Sequence, residues 1–467
     1  EPVLVEGQDV RAVFRSPGLS PEMVAPVWQA AQAFGLPVGG ELDLFAAALR
    51  ELRAERGYAP KVLAITGTNG KTTTTALTAQ LASSGRTVAM AGNIGPSLLD
   101  TLAGHIDAGT LPEVWVLELS SFQLEGVQGF EPSAATVLNL SQDHLDWHGS
   151  MQAYGTAKAR VFGSKALLVL NRDDPAVMAM LPSVAGPPQG ARAPAGGSAA
   201  HAVATVGEPK PPERIKLKKP KWREYVSFGL GMPQRPGDYG IETVNGMAWL
   251  VRAAEADETV KRRKDEEVVL HIQRLMPVEA MRLRGRHNAT NALAALALAG
   301  AAGGTMASML HGLRDYAGEP HRVTPVAVVN DVEYFDDSKG TNVGATVAAL
   351  TGLGAERKLV LIAGGDGKGQ DFSPLADPVR SHARAVVLIG RDAPQIRAAL
   401  EGTGVTLLDA GSMQAAVELA AAQAQTGDAV LMSPACASFD MFDNYGHRAQ
   451  VFCDAVQGLA RDAGVVS

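Results

Sequence analysis

The stretch Val62–Leu81 constrains this chain more than any other. It begins with four apolar residues that predict a buried strand, continues with the small residues Thr66–Gly70, and ends in a Thr-rich helix opened by Lys71 and Thr72. A loop of this kind points backbone N–H groups at phosphate oxygens, and the helix N-terminus adds partial positive charge. In a P-loop the lysine neutralises the outer phosphates and the next hydroxyl ligates Mg²⁺. The stretch therefore predicts a phosphate-binding loop.

The glycine spacing departs from the general P-loop. That motif has a glycine where Ile65 stands, and here the first glycine is Gly67. The alternative is a strand–turn–helix that needs its glycines only for a tight turn. Because the strand, the Gly-Lys-Thr sequence and the helix follow one another in order, we favour phosphate binding.

Composition narrows the class of protein. The 467 residues are enough for about three domains, and a net charge of −7 argues against nucleic acid as the main partner. No apolar run is long enough to cross a bilayer, and the first residues do not resemble a signal peptide. The two cysteines, Cys436 and Cys453, fit a reducing compartment. We expect a cytoplasmic monomer that acts on small molecules, without a nucleic-acid or membrane partner.

Alternating strands and helices predict an α/β protein of three units. Residues 1–60 predict a partial N-terminal α/β unit, and residues 61–318 a central P-loop domain with a doubly wound parallel sheet. Residues 319–467 predict a C-terminal Rossmann-like α/β domain, with ligands at the carboxyl ends of its strands. Inside the central domain, residues 182–222 are rich in Pro, Gly, Ala and Lys, which predicts an inserted surface loop.

Two further elements are predicted beyond that loop. Val226–Phe228 and Met247–Val251 look like the strands of a hairpin. His287–Gly300 is rich in Ala and Leu and predicts a helix.

Polar residues follow two strands of the central unit. Glu118 ends an apolar strand, and an acid there beside a P-loop is a candidate ligand of the nucleotide's Mg²⁺; a carboxylate near a helix N-cap is the alternative. After the next strand, His144 lies between Asp143 and Asp146, which indicates either a metal or phosphate site or a structural histidine.

Three side chains on predicted helices have more than one interpretation. From its sequence context alone, Lys158 is interpreted as a helix-surface lysine. Asn288 and Asn291 lie three residues apart and so share one helix face. Two amides near a helix start can cap it or can hydrogen-bond a purine ring, and capping explains one of them but not both.

Three loops of the C-terminal unit follow predicted strands. They are Asp336–Asn342, Gly364–Lys368 and Ser433–Asp440. Each loop alone is explained by a turn, but adjacent strand ends that carry carboxylate, ammonium and hydroxyl groups indicate a binding cleft. Cys436 has no histidine nearby in sequence, so we interpret it as a small buried residue and not a nucleophile.

These motifs, in this order, resemble those of the Mur ligases, over nearly the whole chain apart from residues 182–222. Residues 66–72, Thr-Gly-Thr-Asn-Gly-Lys-Thr, match the family's P-loop variant, which folylpolyglutamate synthases share. Residues 337–342 and 433–440 look like those of the D-glutamate-adding branch. The tripeptide- and folate-type branches would show an Asp-Tyr-Ala-His-type sequence near residue 337, and the diaminopimelate-adding branch an Asn-Pro-Arg motif. Neither occurs here.

The resemblance implies an ATP-dependent amide ligase that joins D-glutamate to UDP-N-acetylmuramoyl-L-alanine through an acyl phosphate, in peptidoglycan precursor synthesis. The implied cofactors are ATP, two Mg²⁺ ions and CO₂ held as a carbamate on Lys158, which replaces the interpretation of that lysine as a surface residue. A folylpolyglutamate-type ligase and a non-catalytic, nucleotide-gated binding module are the alternatives.

The resemblance also implies roles for individual residues. The implied ATP-binding residues are Gly67, Thr68, Asn69, Gly70, Lys71, Thr72, Thr73, Asn288, Asn291, Arg322 and Asp337. The implied metal ligands are Thr72, Glu118, His144 and Lys158, and the implied catalytic residues are Lys71, His144, Lys158, Arg322 and Lys339. Contacts to the UDP-sugar substrate are implied for Ser16, Pro17, Gly18 and Asn93. Contacts to D-glutamate are implied for Thr341, Lys368, Ser438, Phe439 and Tyr445, where the last stands in place of an expected Phe.

Two expectations concern the ends of the domains. The family's first domain begins with a glycine-rich strand–turn–helix that grips the uridine diphosphate, and nothing before Ser16 supplies it, so we expect that part to be missing from the chain printed here. We also expect the last domain to hinge near Gly318–Pro320 and to close over ATP.

Overall fold

The computed structural model describes residues 10–181, 223–255, 269–283, 285–355 and 357–464. The N-terminal unit comprises two parallel strands and two helices: β1 (Val13–Arg15), α1 (Pro21–Ala33), β2 (Val38–Gly40) and α2 (Glu41–Arg56). Ser20 caps α1 by accepting a hydrogen bond from the Met23 amide, and Pro21 occupies the first turn.

The central unit is built on a six-stranded sheet in which every strand pair is parallel. Its elements are β3 (Lys61–Thr66), α3 (Lys71–Ala82), β4 (Val88–Gly92), α4 (Leu98–Asp107), β5 (Val114–Glu118), α5 (Ser121–Leu124), β6 (Ala134–Val137), α6 (Leu145–His148), α7 (Met151–Ala159), β7 (Leu167–Asn171), α8 (Pro175–Met178) and β8 (Tyr225–Phe228). The strand order is β4-β5-β3-β6-β7-β8, so the P-loop strand β3 lies between β5 and β6.

Helices cover both faces of the central sheet, as its nearly continuous apolar strands require. On one face α3 packs with α9 (Arg286–Ala301) and α10 (Met306–Asp315), which confirms the predicted Ala/Leu-rich helix. On the other face α2 joins the core, where the Phe45 ring meets the Trp115 ring edge-on with centroids 5.2 Å apart. The last helix of the N-terminal unit therefore shares its core with the central sheet.

Both predicted strands exist, but they do not pair with each other as a hairpin. Val226–Phe228 lies within β8, which pairs in parallel with β7 as the edge of the central sheet. Met247 instead begins β10 (Met247–Glu255), which pairs with β9 (Tyr239–Val244) and with β11 (Leu270–Pro277) in a separate antiparallel sheet. Asn245 and Gly246, both with positive φ, form the two-residue turn, a hairpin signal that the sequence already carries.

The C-terminal unit holds a second six-stranded sheet of order β12-β13-β17-β14-β15-β16, with only the β12–β13 pair antiparallel. Its elements are β12 (Thr324–Val329), β13 (Val332–Asp336), α11 (Val343–Gly354), β14 (Leu359–Gly364), α12 (Ala376–His382), β15 (Ala383–Ile389), α13 (Ala393–Leu400), β16 (Thr406–Asp409), α14 (Met413–Gln423), β17 (Ala429–Met432) and α15 (Tyr445–Asp462). Separate hydrophobic clusters cover its two faces. The predicted loops 336–342, 364–368 and 433–440 follow β13, β14 and β17, which are neighbours in the sheet.

Two sequence expectations are limited by what the structure describes. The expected inserted loop, residues 182–222, lies outside the described residues. Across the described ranges, no helix combines the length and the apolar character that crossing a bilayer requires. The expected domain limits at residues 60 and 318 stay predictions.

Candidate active site

Two glycines with positive φ allow the tight turn of the predicted P-loop between β3 and α3. Gly67 has φ 151°, and a Cβ there would lie 3.0 Å from the Leu138 Cβ; Gly70 has φ 82°, and a Cβ would lie 2.6 Å from the Asn291 side-chain oxygen. The Lys71 ammonium folds back over the loop and donates to the carbonyl oxygens of Gly67 (2.9 Å) and Thr68 (2.8 Å). Loss of hydration lowers the pKa of this lysine.

The segment after β6 holds the loop in place. The Asn139 side chain brackets the Asn69 backbone, accepting from its N–H at 2.9 Å and donating to its carbonyl at 3.1 Å. The Thr68 hydroxyl contacts the Ser141 backbone and the Tyr154 hydroxyl. Asn139 and Asn69 lie 70 positions apart in the sequence, so local patterns give Asn139 no role.

Glu118 lies beside the P-loop because β5 pairs with β3. Its side chain is buried; Oε1 accepts a 2.9 Å hydrogen bond from the Asn93 amide, while Oε2 is buried without a hydrogen-bond partner. A buried carboxylate oxygen without a partner is costly unless a cation or a donor reaches it. This orphaned oxygen fits a Mg²⁺ ligand, and it excludes the helix-cap interpretation as an account of both oxygens.

Whether a metal ion can bind at Glu118 also depends on the other ligands around this side chain. Within the described ranges, no group of three or more His, Cys, Asp or Glu side chains is arranged to hold a metal ion. The remaining ligands of an ion at Glu118 would therefore come from a hydroxyl such as that of Thr72, from phosphate and from water, a coordination set that suits Mg²⁺. Asn93, expected to contact the UDP-sugar, here orients Glu118 through its side-chain amide.

Lys158 is buried with 1% of its surface exposed, so the interpretation as a surface lysine is wrong. Its amine donates to the Gly67 carbonyl at 2.9 Å and to the Thr66 hydroxyl at 3.3 Å, and it lies 4.6 Å from the centre of the Tyr154 ring. Burial, followed by the charge of Lys71, lowers the pKa of Lys158 well below its ordinary value. This environment favours the amine without its proton, immediately beneath the P-loop.

His144 is the N-cap residue of α6 and has a left-handed φ of 53°. Its Nε2 lies 3.6 Å from an Asp143 oxygen, and its ring packs against Phe122 with centroids 4.7 Å apart. Desolvation lowers the pKa of this histidine, against the opposing charge of Asp143, which favours the neutral ring that binds metals. The side chain of Asp146, the other predicted neighbour, lies outside what the structure describes.

A cavity of about 390 Å³ separates the central and C-terminal units at His144. Thr341 and Lys368, two of the residues implied to contact D-glutamate, line it from the C-terminal side. Ser438, Phe439 and Tyr445 do not line this cavity. Ser438 is buried, Phe439 is 71% exposed, and Tyr445 lies instead beside Lys339, whose ammonium is 5.7 Å from the centre of its ring.

Asn288 and Asn291 share a buried face of α9, as predicted, and the Asn291 amide donates to Asn288 Oδ1 at 3.2 Å. Neither is the N-cap residue, which is Gly285. Both line a small cavity with Arg322 and Asp337. Asn291 also lines an adjoining cavity of about 400 Å³, whose walls include P-loop residues and Phe228.

Arg322 and Asp337 bring the C-terminal unit into this site. Arg322 donates to the Thr72 hydroxyl at 3.0 Å, and its Nε is buried without a partner. Asp337 is buried and accepts a 2.7 Å hydrogen bond from Ser433; burial raises the pKa of its carboxyl to about 7. Lys339 follows two residues later, and desolvation lowers the pKa of its amine.

The remaining predicted residues lie elsewhere. Ser16, Pro17 and Gly18 form a turn after β1, closed by a 3.1 Å bond from Leu19 N to the Ser16 carbonyl. The cavities described above do not include these three residues. Arg15, just before the turn, connects it to the central unit by donating to the Glu125 carbonyl at 3.0 Å.

Sequence reasoning missed a buried arginine that supports the C-terminal loops. Arg448 donates to the carbonyls of Cys436 (3.1 Å) and Ser338 (2.9 Å) and so joins two of the three strand-end loops. A lone arginine on an amphipathic helix gives no sequence signal of this role. Cys436 itself is fully buried, as predicted, and burial raises the pKa of its thiol to about 12.

Two family models match this chain. The family model of the Mur ligase middle domain matches residues 65–187, and that of the Mur ligase glutamate ligase domain matches residues 321–436. The chain belongs to the Mur ligase family.

Individual members of the family are similar to this chain over nearly its whole length. A protein from Albidiferax ferrireducens named UDP-N-acetylmuramoylalanine–D-glutamate ligase is 64% identical, covering 99% of this chain and 86% of its own length. A protein of the same name from a Polaromonas species is 58% identical, covering 100% of this chain and 89% of its own length. The predicted resemblance to the D-glutamate-adding branch is thus confirmed.

The fold has solved counterparts. The structure of MurF ligase from Thermotoga maritima in complex with ADP superposes with a TM-score of 0.59 at 16% identity, covering 97% of this chain and 96% of that chain. At this identity the likeness concerns the fold alone, and it agrees with a mixed α/β chain built on parallel sheets.

Proposed function

We propose that this chain is an ATP-dependent ligase that joins D-glutamate to UDP-N-acetylmuramoyl-L-alanine during the synthesis of peptidoglycan precursors. The observation that carries the proposal is the junction of the two units at the P-loop. Arg322 from the C-terminal unit contacts Thr72, beside Lys71 and the orphaned Glu118 oxygen. Cationic groups from separate parts of the chain thus meet where a triphosphate would lie.

The chemistry follows from this charge distribution. The alanyl carboxylate of the substrate attacks the γ-phosphorus of ATP, which breaks the bond to ADP and forms an acyl phosphate. The D-glutamate amine then attacks the acyl carbon, phosphate leaves with the bonding electrons, and the amine nitrogen loses a proton. The first step brings two anions together, so offsetting their repulsion is the main catalytic task. We assign this task to Lys71, Arg322 and Lys339, whose charges lie close enough to act on one another.

Magnesium and the carbamate are proposed on the fit of the residues present. Thr72 and Glu118 would hold one Mg²⁺, and His144 with Lys158 a second, whose charges would lower the repulsion between carboxylate and triphosphate. A buried amine without its proton can add to CO₂ through nitrogen and lose an N–H proton, so the environment of Lys158 suits a carbamate. A carbamate is anionic and supplies the oxygen ligands that Mg²⁺ prefers over an amine nitrogen.

The binding sites follow the cavities. We assign the adenine to the α9 face of Asn288 and Asn291, the ribose to Asp337, and the D-glutamate carboxylates to the cavity of Thr341 and Lys368. Ser438, Phe439 and Tyr445 stay predictions for D-glutamate, as do Ser16–Gly18 for the UDP-sugar. The protein is proposed to be cytoplasmic, where ATP and nucleotide sugars occur, and its monomeric state stays a prediction.

The test measures ADP release by purified protein with UDP-N-acetylmuramoyl-L-alanine and D-glutamate. We expect release that needs both substrates and is lost when L-glutamate replaces D-glutamate. Release with folate in place of the UDP-sugar would support the folylpolyglutamate-type reaction instead. ATP binding without D-glutamate-dependent phosphate release would indicate a non-catalytic module and contradict the proposal.

A further inference from the structure

The first turn of α11 touches the P-loop through one amide side chain. Asn342, which precedes α11, is 8% exposed, and its Nδ2 lies 3.2 Å from Asn69 Oδ1 and 3.4 Å from Asp143 Oδ2. Asn69 belongs to the P-loop, and Asp143 precedes His144. One NH₂ group of the C-terminal unit thus faces two separate segments of the central unit.

The same side chain also caps its own helix. Asn342 Oδ1 accepts from the Ala345 amide at 2.9 Å, so the oxygen serves α11 while the nitrogen serves the central unit. This division fixes the amide's orientation, because a flipped side chain would place its NH₂ group against the helix N–H. A variant of residue 342 that keeps only the capping oxygen can therefore preserve the cap of α11 while losing the contact with the central unit.

A glycine two residues later lets the surfaces approach. A Cβ at Gly344 would lie 2.8 Å from Ser141 Oγ and 3.0 Å from Asn69 Nδ2. Ser141 Oγ is itself buried without a hydrogen-bond partner. The φ of Gly344 is not positive, so its backbone conformation is open to alanine, and only the contact with the central unit requires glycine here.

We propose that Asn342 is a positioning residue of the ligase reaction: through Asn69 and Asp143 it fixes the C-terminal unit on the P-loop, with Gly344 providing the space. This inference rests on the proposed function, in which Lys339 and Thr341 must reach ATP and D-glutamate. Those residues precede Asn342 by three positions and one position, so the amide that anchors α11 also sets where their side chains lie.

The first experiment uses Asn342→Ser, which keeps a capping oxygen but removes the NH₂ group that reaches Asn69 and Asp143. We expect kcat/KM for ATP to fall about 3- to 10-fold, the range of one net hydrogen bond, with kcat/KM for D-glutamate falling alongside. The matched control is Ser412→Ala, which removes the N-cap oxygen of α14 without touching the central unit. It should lower the thermal midpoint and leave kinetics unchanged.

The second experiment uses Gly344→Ala, which keeps Asn342 intact. Alanine favours the helix, so the thermal midpoint should hold or rise while kcat/KM for ATP falls. Small-angle scattering with a non-hydrolysable ATP analogue and Mg²⁺ should show a less compact particle for both variants than for the wild type. A double variant with Asn69→Ala should lose less than the sum of the single losses, since both remove one contact.

The outcomes separate the two proposals. If the wild-type protein gives no D-glutamate-dependent ADP release, the proposed function fails. If the wild type ligates and Asn342→Ser or Gly344→Ala matches its kinetics and compaction, the positioning role fails. It also fails if activity losses only follow losses in thermal midpoint, because the role would then be structural.

Discussion

The Nη2 of Arg322 donates a 3.0 Å hydrogen bond to the hydroxyl of Thr72, although 250 residues separate them. Thr72 belongs to the helix that follows the P-loop, and Arg322 belongs to the segment that leads into the second sheet. The contact places a guanidinium at the candidate phosphate site without any other element between.

Arg322→Ala tests this contact directly. Removing one preorganised cationic donor costs about 10²- to 10³-fold in kcat. We expect a loss of that size, with ATP affinity reduced less, because the charge matters most as the γ-phosphate is transferred. Arg314→Ala, on the exposed side of α10, is the matched control and should behave as wild type. Steady-state rates of ADP release give kcat and the KM for ATP. An unchanged kcat would show that Arg322 has no part in the mechanism.

Lys158→Ala tests the carbamate. We expect turnover nearly abolished, with partial recovery when formate or acetate supplies a small anion in the vacated space. Carbon-13 NMR of wild-type protein under labelled bicarbonate should show a carbamate resonance that the variant lacks. Lys165→Ala removes an exposed lysine and should retain both activity and that resonance. Full activity of Lys158→Ala would exclude the carbamate.

Glu118→Gln separates metal binding from stability. The substitution keeps an oxygen to accept from Asn93 but removes the charge of the oxygen that has no partner. We expect the thermal midpoint to hold or rise, since an unpaired buried charge is costly, while the Mg²⁺ concentration needed for half-maximal rate increases about tenfold or more. Glu279→Gln, at an exposed position, should change neither quantity. An unchanged Mg²⁺ requirement would place the ion elsewhere.

Asp337 should give the stability of the protein a measurable pH dependence. Burial raises the pKa of its carboxyl from 3.8 to about 7, so between those values the folded protein binds more protons at this site than the unfolded chain. The contribution of this carboxyl to the free energy of unfolding is fully present below about pH 4 and is lost as the pH rises through 7. Asp337→Asn should flatten that slope, measured by urea unfolding from pH 4 to pH 8. Asp377→Asn, at an exposed site on α12, should leave the slope unchanged, and an unaltered slope in Asp337→Asn would contradict the assignment.

The P-loop shows how far sequence reasoning reaches. Strand, loop and helix follow one another as predicted, since each depends on apolar runs and glycines within about twenty residues. The same holds for α9, because the predicted helix His287–Gly300 lies within the observed Arg286–Ala301. The predicted pairing of β8 is wrong because its neighbour in the sheet, β7, precedes it by more than fifty residues.

Sequence by itself therefore determined the order of elements, the P-loop and the polar loops at the strand ends, all of which local patterns specify. Tertiary structure alone decided that Lys158 is buried against Thr66, 92 residues away, and that Asn342 meets Asn69, 273 residues away. The physical reason is that the burial of a side chain, and whether its polar atoms find partners, depend on which distant surfaces pack together. The hydration that a side chain loses on such packing cannot be read from residue spacing along the chain.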